Sequence, residues 1–189
     1  MSGKIQISGN AFLYPMPMVL VGAMVEGKPN YMAVAWVSRV NYEPPLLGIA
    51  IGKRHHTAKG IRAHGQFGVS IPGRSLVAAT DYVGMVSGHT VDKSKAFETF
   101  FGALPHAPMA AACPLTMACR LSETVDLPSN FFFIGEIVEA YSEQACLTDG
   151  MPDIRKLDPF TLTMPDNRYW SVGDCLAKAW SVGKTFPAP

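Results

Sequence analysis

The chain has 189 residues, enough for one sizeable core and cramped for two. Its 16 basic and 15 acidic residues leave a net charge of +1, which excludes a strong electrostatic drive toward nucleic acid or an acidic membrane surface. Hydrophobic residues make up 48% and charged residues only 16%, so polar side chains are scarce and a second copy of the chain is the expected cover for the remaining apolar area.

In chain order, Val19–Val25 predicts a strand, apolar on both faces, that closes in the turn Glu26-Gly27-Lys28-Pro29-Asn30. Tyr31 to Val40 predicts the returning strand. Pro44-Pro45 stops it, because neither ring nitrogen can donate to a ladder, and Leu46 to Ile51 reads as a buried third strand. Thr57 is placed to cap a short helix from Ala58 to His64 that ends at Gly65. Phe67 to Ile71 alternates as a strand, and Ser75 to Val86 has helical spacing with Leu76, Ala79, Val83 and Val86 on one stripe. A polar loop follows from Ser87 to Lys95, and a short helical piece is expected around Ala96–Phe101. Strands then return at Leu115–Ser122, Phe131–Tyr141 and Phe160–Thr163, and the tail carries the aromatic run Tyr169-Trp170. The count predicts a mainly β architecture in a single domain, a closed antiparallel barrel with short helical insertions.

The four cysteines, Cys113, Cys119, Cys146 and Cys175, form no CxxC pair and have no histidine at metal-ligand spacing, so free thiols are expected and no metal site. The first residues lack an apolar signal core, and no apolar run approaches the ~20 residues of a spanning helix. A cytoplasmic protein that binds neither membrane nor nucleic acid is the expectation.

Two segments carry chemistry. Lys53-Arg54-His55-His56-Thr57 gathers cations, imidazoles and a hydroxyl at a helix start, where unpaired N–H groups and the positive dipole end suit a phosphate. A solvated basic loop is the competing reading. Asn30 to Arg39 offers an amide that both donates and accepts, as the edge of a heterocycle requires, and small residues at Ala33 and Ala35 that admit a planar ring. Trp36 could cover such a ring or belong to the core. Ser38 and Arg39 add a hydroxyl and a guanidinium. The loop Ser87–Lys93 could bring Lys93, with Lys95 behind it, to the same anion. There is no GxGxxG, no GxxxxGK[ST] and no GxSxG.

The ordered set PNYMAVAWVSRVNYEPPLLGIAI, HHT, VDK and FFFIGEIV, with TMPDNRYWSVG and AWSVGK near the end, resembles the flavin reductase-like family with an FMN-binding split barrel, and within it the flavoredoxins. The resemblance runs from about Tyr14 to Lys184. It implies an antiparallel split β-barrel, homodimeric, with one noncovalent FMN per subunit near the dimer interface. It sets Asn30, Met32, Ala33, Trp36 and Val37 near the isoalloxazine, and Ser38 and Arg39 by the ribityl chain and phosphate. Lys53, Arg54, His55 and Thr57 would complete the phosphate site, Lys93 would reach it from the later loop, and Trp170 would approach from the tail or the partner. FMN carries the redox chemistry in such a protein, so no catalytic side chain is expected. Three functions follow as alternatives: a carrier of electrons between redox partner proteins, an FMN-dependent oxidoreductase that takes hydride from NAD(P)H and reduces flavin or another small acceptor, and a ligand-binding barrel without redox chemistry.

Overall fold

The structure, a computed structural model, describes residues 3–187. The first strands are β1 (Met16–Pro17), β2 (Val19–Val25), β3 (Lys28–Val34) and β4 (Val37–Asn41). Glu26 and Gly27 alone join β2 to β3, both at positive φ (52° and 78°), a two-residue turn whose twist matches its flanking strands. The turn is therefore shorter than the sequence suggested, because Lys28, Pro29 and Asn30 already pair with Val25, Met24 and Ala23. Pro29 is tolerated there since β3 ends the sheet. Nor is Tyr31–Val40 one strand: Ala35 and Trp36 lie outside any ladder between β3 and β4.

Then follow β5 (Leu46–Gly52), α1 (His56–His64), β6 (Gln66–Ile71) and α2 (Val77–Met85). The short strands β7 (Thr99–Phe100) and β8 (Met109–Ala110) precede the long pair β9 (Leu115–Asp126) and β10 (Asn130–Ser142). A minor hairpin of β11 (Leu147–Thr148) and β12 (Met151–Pro152), the short helix α3 (Ile154–Leu157) and the hairpin of β13 (Phe160–Thr163) and β14 (Arg168–Ser171) complete the chain order. The helical piece expected around Ala96–Phe101 is extended instead. Thr99 and Phe100 pair with Ala110 and Met109, and Thr99 is held by the Tyr31 hydroxyl at 2.8 Å, a tertiary contact that overrides local helical spacing.

Seven strands form one antiparallel sheet in the order β3-β2-β6-β9-β10-β5-β4. Its two end strands, β3 and β4, are consecutive in sequence and separated by only Ala35 and Trp36. Three Cα–Cα steps span at most about 11 Å, so the sheet must curl until its ends meet. No ladder joins those ends among the described residues, so the barrel is split at this seam rather than closed as the strand count suggested. The Ala50 N–H donates to the Trp36 carbonyl at 2.9 Å and holds the connection in place.

Alternation then sorts the side chains. Val19, Val21 and Ala23 of β2, Met32 and Val34 of β3, Leu47, Ile49 and Ile51 of β5, and Phe67 and Val69 of β6 point inward, joined by Phe133 of β10 and by Ala58 and Ile61 of α1. The opposite face of β2 and β3 supplies Leu20 and Tyr31 to a second cluster with Val83 of α2 and Phe97. Helix α2 is thereby fixed outside the barrel, beside the seam.

Gly22 and Gly68, paired across β2 and β6, both sit under the Pro108 carbonyl. A Cβ on Gly68 would lie 2.1 Å from that oxygen, a backbone atom that cannot move aside cheaply. Gly68→Ala is expected to cost about 1–3 kcal/mol of folding stability, read as a lower urea midpoint with unchanged slope. An unshifted midpoint would show that the loop carrying Pro108 yields freely.

Candidate functional site

The seam opens into a cleft made of two joined cavities. The larger, about 570 Å³, is mostly apolar, with Met32, Ala33, Trp36, Ala50, Gly84 and Tyr169 on its walls. The smaller, about 220 Å³, is the more polar of the two, with Asn30, Arg54, His55, Thr57, Gly88 and Lys93 around it. Met32, His55, Gly84 and Met85 line both, so one opens directly into the other.

Three elements position these groups. The end strand β3 supplies Asn30, Met32 and Ala33, and the seam supplies Trp36. Helix α1 points its N-terminus at the polar cavity. It starts at His56, two residues earlier than the sequence suggested, with His55 as N-cap and no side chain capping it. Thr57 is therefore not the cap. It is buried in the first turn, where its Oγ1 accepts a hydrogen bond from Asn30 Nδ2 at 2.7 Å. The third element is the C-terminal end of α2 and the turn after it, Gly84–Gly88. A Cβ on Gly88 would stand 2.3 Å from Asn30 Oδ1, so only glycine lets this turn close over Asn30.

The polar cavity is electropositive by arrangement. Lys93 is only 5% exposed, and its Nζ donates to the carbonyls of Tyr31 (3.1 Å) and Val83 (2.7 Å), leaving one of its three donors. Burial pushes its pKa down from the ordinary lysine value. Lys95 is exposed and does not line the cavity, so Lys93 is the lysine the fold brings here. The nearby acids are already paired, Asp92 with Lys28 at 2.7 Å and Glu26 with Lys59 at 3.2 Å. His56 Nδ1 lies 3.3 Å from His89 Nδ1, and His89 Nε2 lies 3.1 Å from the Arg54 carbonyl, which ties the loop of His89 to the start of α1.

Of the residues singled out in the sequence, Asn30, Met32, Ala33, Trp36, Arg54, His55, Thr57 and Lys93 meet in this cleft. The others lie elsewhere. Val37 and Ser38 line a further apolar cavity of about 760 Å³, which shares the walls Ala35, Trp36, Ala50 and Met164 with the apolar part of the cleft. The Arg39 guanidinium donates to the carbonyls of Asn41 (2.7 Å) and Tyr42 (3.0 Å). Lys53 pairs with Asp126 and lies over the Phe131 ring, 5.4 Å from its centroid, away from the cleft. Trp170 donates from its indole to Thr163 Oγ1 at 2.9 Å, while its neighbour Tyr169 takes the place in the cleft. Tyr169 is anchored by a 2.8 Å hydrogen bond to Asp81 of α2, and burial together with that carboxylate pushes its pKa up to about 12. Sequence reasoning missed Asp81, Gly84–Gly88 and Tyr169 as site residues. The only local signal was the aromatic cluster of the tail.

Among the described residues no group of three or more His, Cys, Asp or Glu side chains could hold a metal ion, and no helix is long and apolar enough to cross a membrane. The arrangement suits a flat apolar ring joined to an anion, with the anion at the uncapped helix N-terminus.

Burial first, and then His89, hold the His56 pKa below its ordinary value, while Glu26 opposes this and Lys59 and Lys93 add to it. The unfolded chain thus takes up a proton at higher pH than the folded one. The stability that neutral His56 contributes is present above about pH 6.5 and is lost as pH falls through the folded-state value. His56→Gln is expected to flatten the acid limb of stability measured by urea unfolding between about pH 7.5 and 5. An acid limb as steep as that of the parent protein would contradict this.

With the geometry in hand, comparison with known proteins identifies the scaffold. A family model of the flavin reductase like domain matches residues 11–155. The chain is 52% identical to flavoredoxin from Methanosarcina acetivorans, covering 97% of this chain and 98% of that one at a TM-score of 0.95. It is 34% identical to flavoredoxin of Desulfovibrio vulgaris (Miyazaki F), covering 95% and 100% of the two chains at a TM-score of 0.87. An uncharacterised protein of Archaeoglobus fulgidus is 31% identical over 76% of this chain and 81% of its own. The similarity extends over most of the chain's length, and the chain belongs to the flavin reductase-like family.

Proposed function

We propose that the chain binds FMN noncovalently in the joined cavities and uses it to transfer electrons, as a homodimer in the cytoplasm. One observation carries the reading: an apolar slot opens directly into an electropositive pocket at an uncapped helix N-terminus. Met32, Ala33 and Trp36 would hold the ring, and Arg54, Lys93 and the first amides of α1 would hold the phosphate. Met32, His55, Gly84 and Met85 would shape the passage between them. FMN, when bound, supplies reversible one- and two-electron chemistry. The chain's own part is to bind, orient and shield, and no side-chain acid or base is assigned.

Trp36 is 49% exposed, so the ring cavity faces solvent along the seam and suits electron exchange with a small molecule or a protein. A flavoredoxin-type carrier and an NAD(P)H-dependent reductase both fit that opening. The low charged fraction and the exposed Val40 and Tyr42 beside the end strand β4 support a second copy over that edge.

Removing the Arg54 guanidinium is the specific test of the phosphate assignment. A charge-assisted hydrogen bond is worth about 1.5–3 kcal/mol, so Arg54→Ala is expected to weaken FMN about tenfold or more while leaving riboflavin affinity unchanged in a fluorescence titration. Equal losses for both ligands would contradict the assignment, and a protein that takes up neither would favour the barrel without redox chemistry. Adding NADH or NADPH to the flavin-loaded protein without air separates the two redox versions. Rapid bleaching of the flavin band identifies the reductase, and a persistent band identifies the carrier.

A further inference from the structure

The C-terminal arm, Val172 to Pro187, leaves β14 and makes hydrogen bonds only within itself among the described residues. It is nonetheless apolar. Leu176 is 99% exposed, Trp180 96% and Phe186 75%, and Asp174, Lys178 and Lys184 are its only charged residues. A segment that stays solvated has few aromatics, and this one carries two, with Leu176 and Val182 between and beside them. Had the arm folded back on its own chain, those side chains would be covered.

A receptor for it lies beside its root. The arm begins after β14, which pairs with β13, which pairs with β1. Next to β1 is the apolar cavity of about 760 Å³ behind Trp36, walled by Phe12, Leu13, Val37, Phe132 and Met164. No residue of the arm lines it. The arm is 16 residues long and can span roughly 50 Å when extended, enough to cross to a neighbouring copy. A twofold pair would seat two arms at once, and two aromatic anchors per arm, each burying about 150–250 Å², approach the area a stable interface needs from each partner.

We infer that two copies of the chain exchange their C-terminal arms, each arm seating Trp180 and its apolar neighbours in the cavity behind Trp36 of the other copy. The exchange deepens the homodimer of the proposed function and rests on it. It also makes the partner a support for Trp36, which walls both that cavity and the cleft. The flavin site is then complete only in the dimer.

Sedimentation velocity on the protein without added flavin tests this, since dimerisation by arm exchange needs no cofactor. The full chain should sediment at twice its 20.4 kDa mass, and a chain ending at Ser171 should sediment as a folded monomer with the far-ultraviolet circular dichroism of the parent's barrel. Trp180→Ala should raise the dimer dissociation constant about thirtyfold, the effect of losing an interface hot spot. Leu13→Asp, at an 86% exposed wall position that the fold does not need, should do the same from the receptor side. A truncated chain that remains dimeric would overturn the exchange while leaving the dimer intact. Dissociation on truncation without any effect of Leu13→Asp would overturn the seat. A monomeric full chain would overturn the dimer itself, and the flavin reading would stand or fall on its own titration.

Discussion

The buried hydrogen bond from Asn30 Nδ2 to Thr57 Oγ1 is the constraint on which the rest of the site depends. It ties an end strand of the barrel to the first turn of α1. Breaking it would strand a buried polar group at a cost of about 1–3 kcal/mol. Helix α1 is itself held by Ala58 and Ile61 in the barrel core, so the core, and not the surface, sets where its N-terminus points. With the amide nitrogen committed to Thr57, Asn30 Oδ1 faces the turn after α2, and the absence of a Cβ at Gly88 lets that turn approach. The same approach carries Gly84 and Met85 to the wall that the two cavities share.

Electrostatics then follow from pairing rather than from net charge. The chain as a whole carries a charge of only +1. Near the polar cavity, however, Asp92 and Glu26 are neutralised by Lys28 and Lys59, which leaves Arg54 and Lys93 to set the local potential. Lys53, which the sequence places in the same cationic run, is spent on Asp126 and Phe131. Local focusing of this kind attracts an anion without making the surface basic overall. An anion at the start of α1 would also satisfy N–H groups that no side chain caps.

Much of this was legible in the sequence, for reasons that can be named. The strands of the barrel announced themselves by alternation or by apolar runs, and the helix end at Gly65 by its left-handed residue, φ 61°. The start of α1 as a candidate anion site was legible because Arg54 to Thr57 are contiguous, while Lys93 joins them only through the fold. What failed was whatever depended on distance in sequence. Thr57 looked like a cap because its partner, Asn30, is 27 residues away. The run at Thr99–Phe100 looked helical because its strand partner and Tyr31 are remote. The segment read as one site is split because β3 ends at Val34 and β4 begins at Val37: Trp36 in the connection walls both cavities, while Ser38 on β4 lines only the second. Tyr169 entered the cleft, and Trp170 did not, because adjacent residues on one strand point to opposite faces.

The most direct measurement of the central claim is a crystal structure of the protein loaded with FMN. The phosphate is expected between Arg54, Lys93 and the first amides of α1, with the ring against Met32, Ala33 and Trp36. A phosphate beside Ser38 and Arg39, with the ring in the cavity behind Trp36, would contradict it.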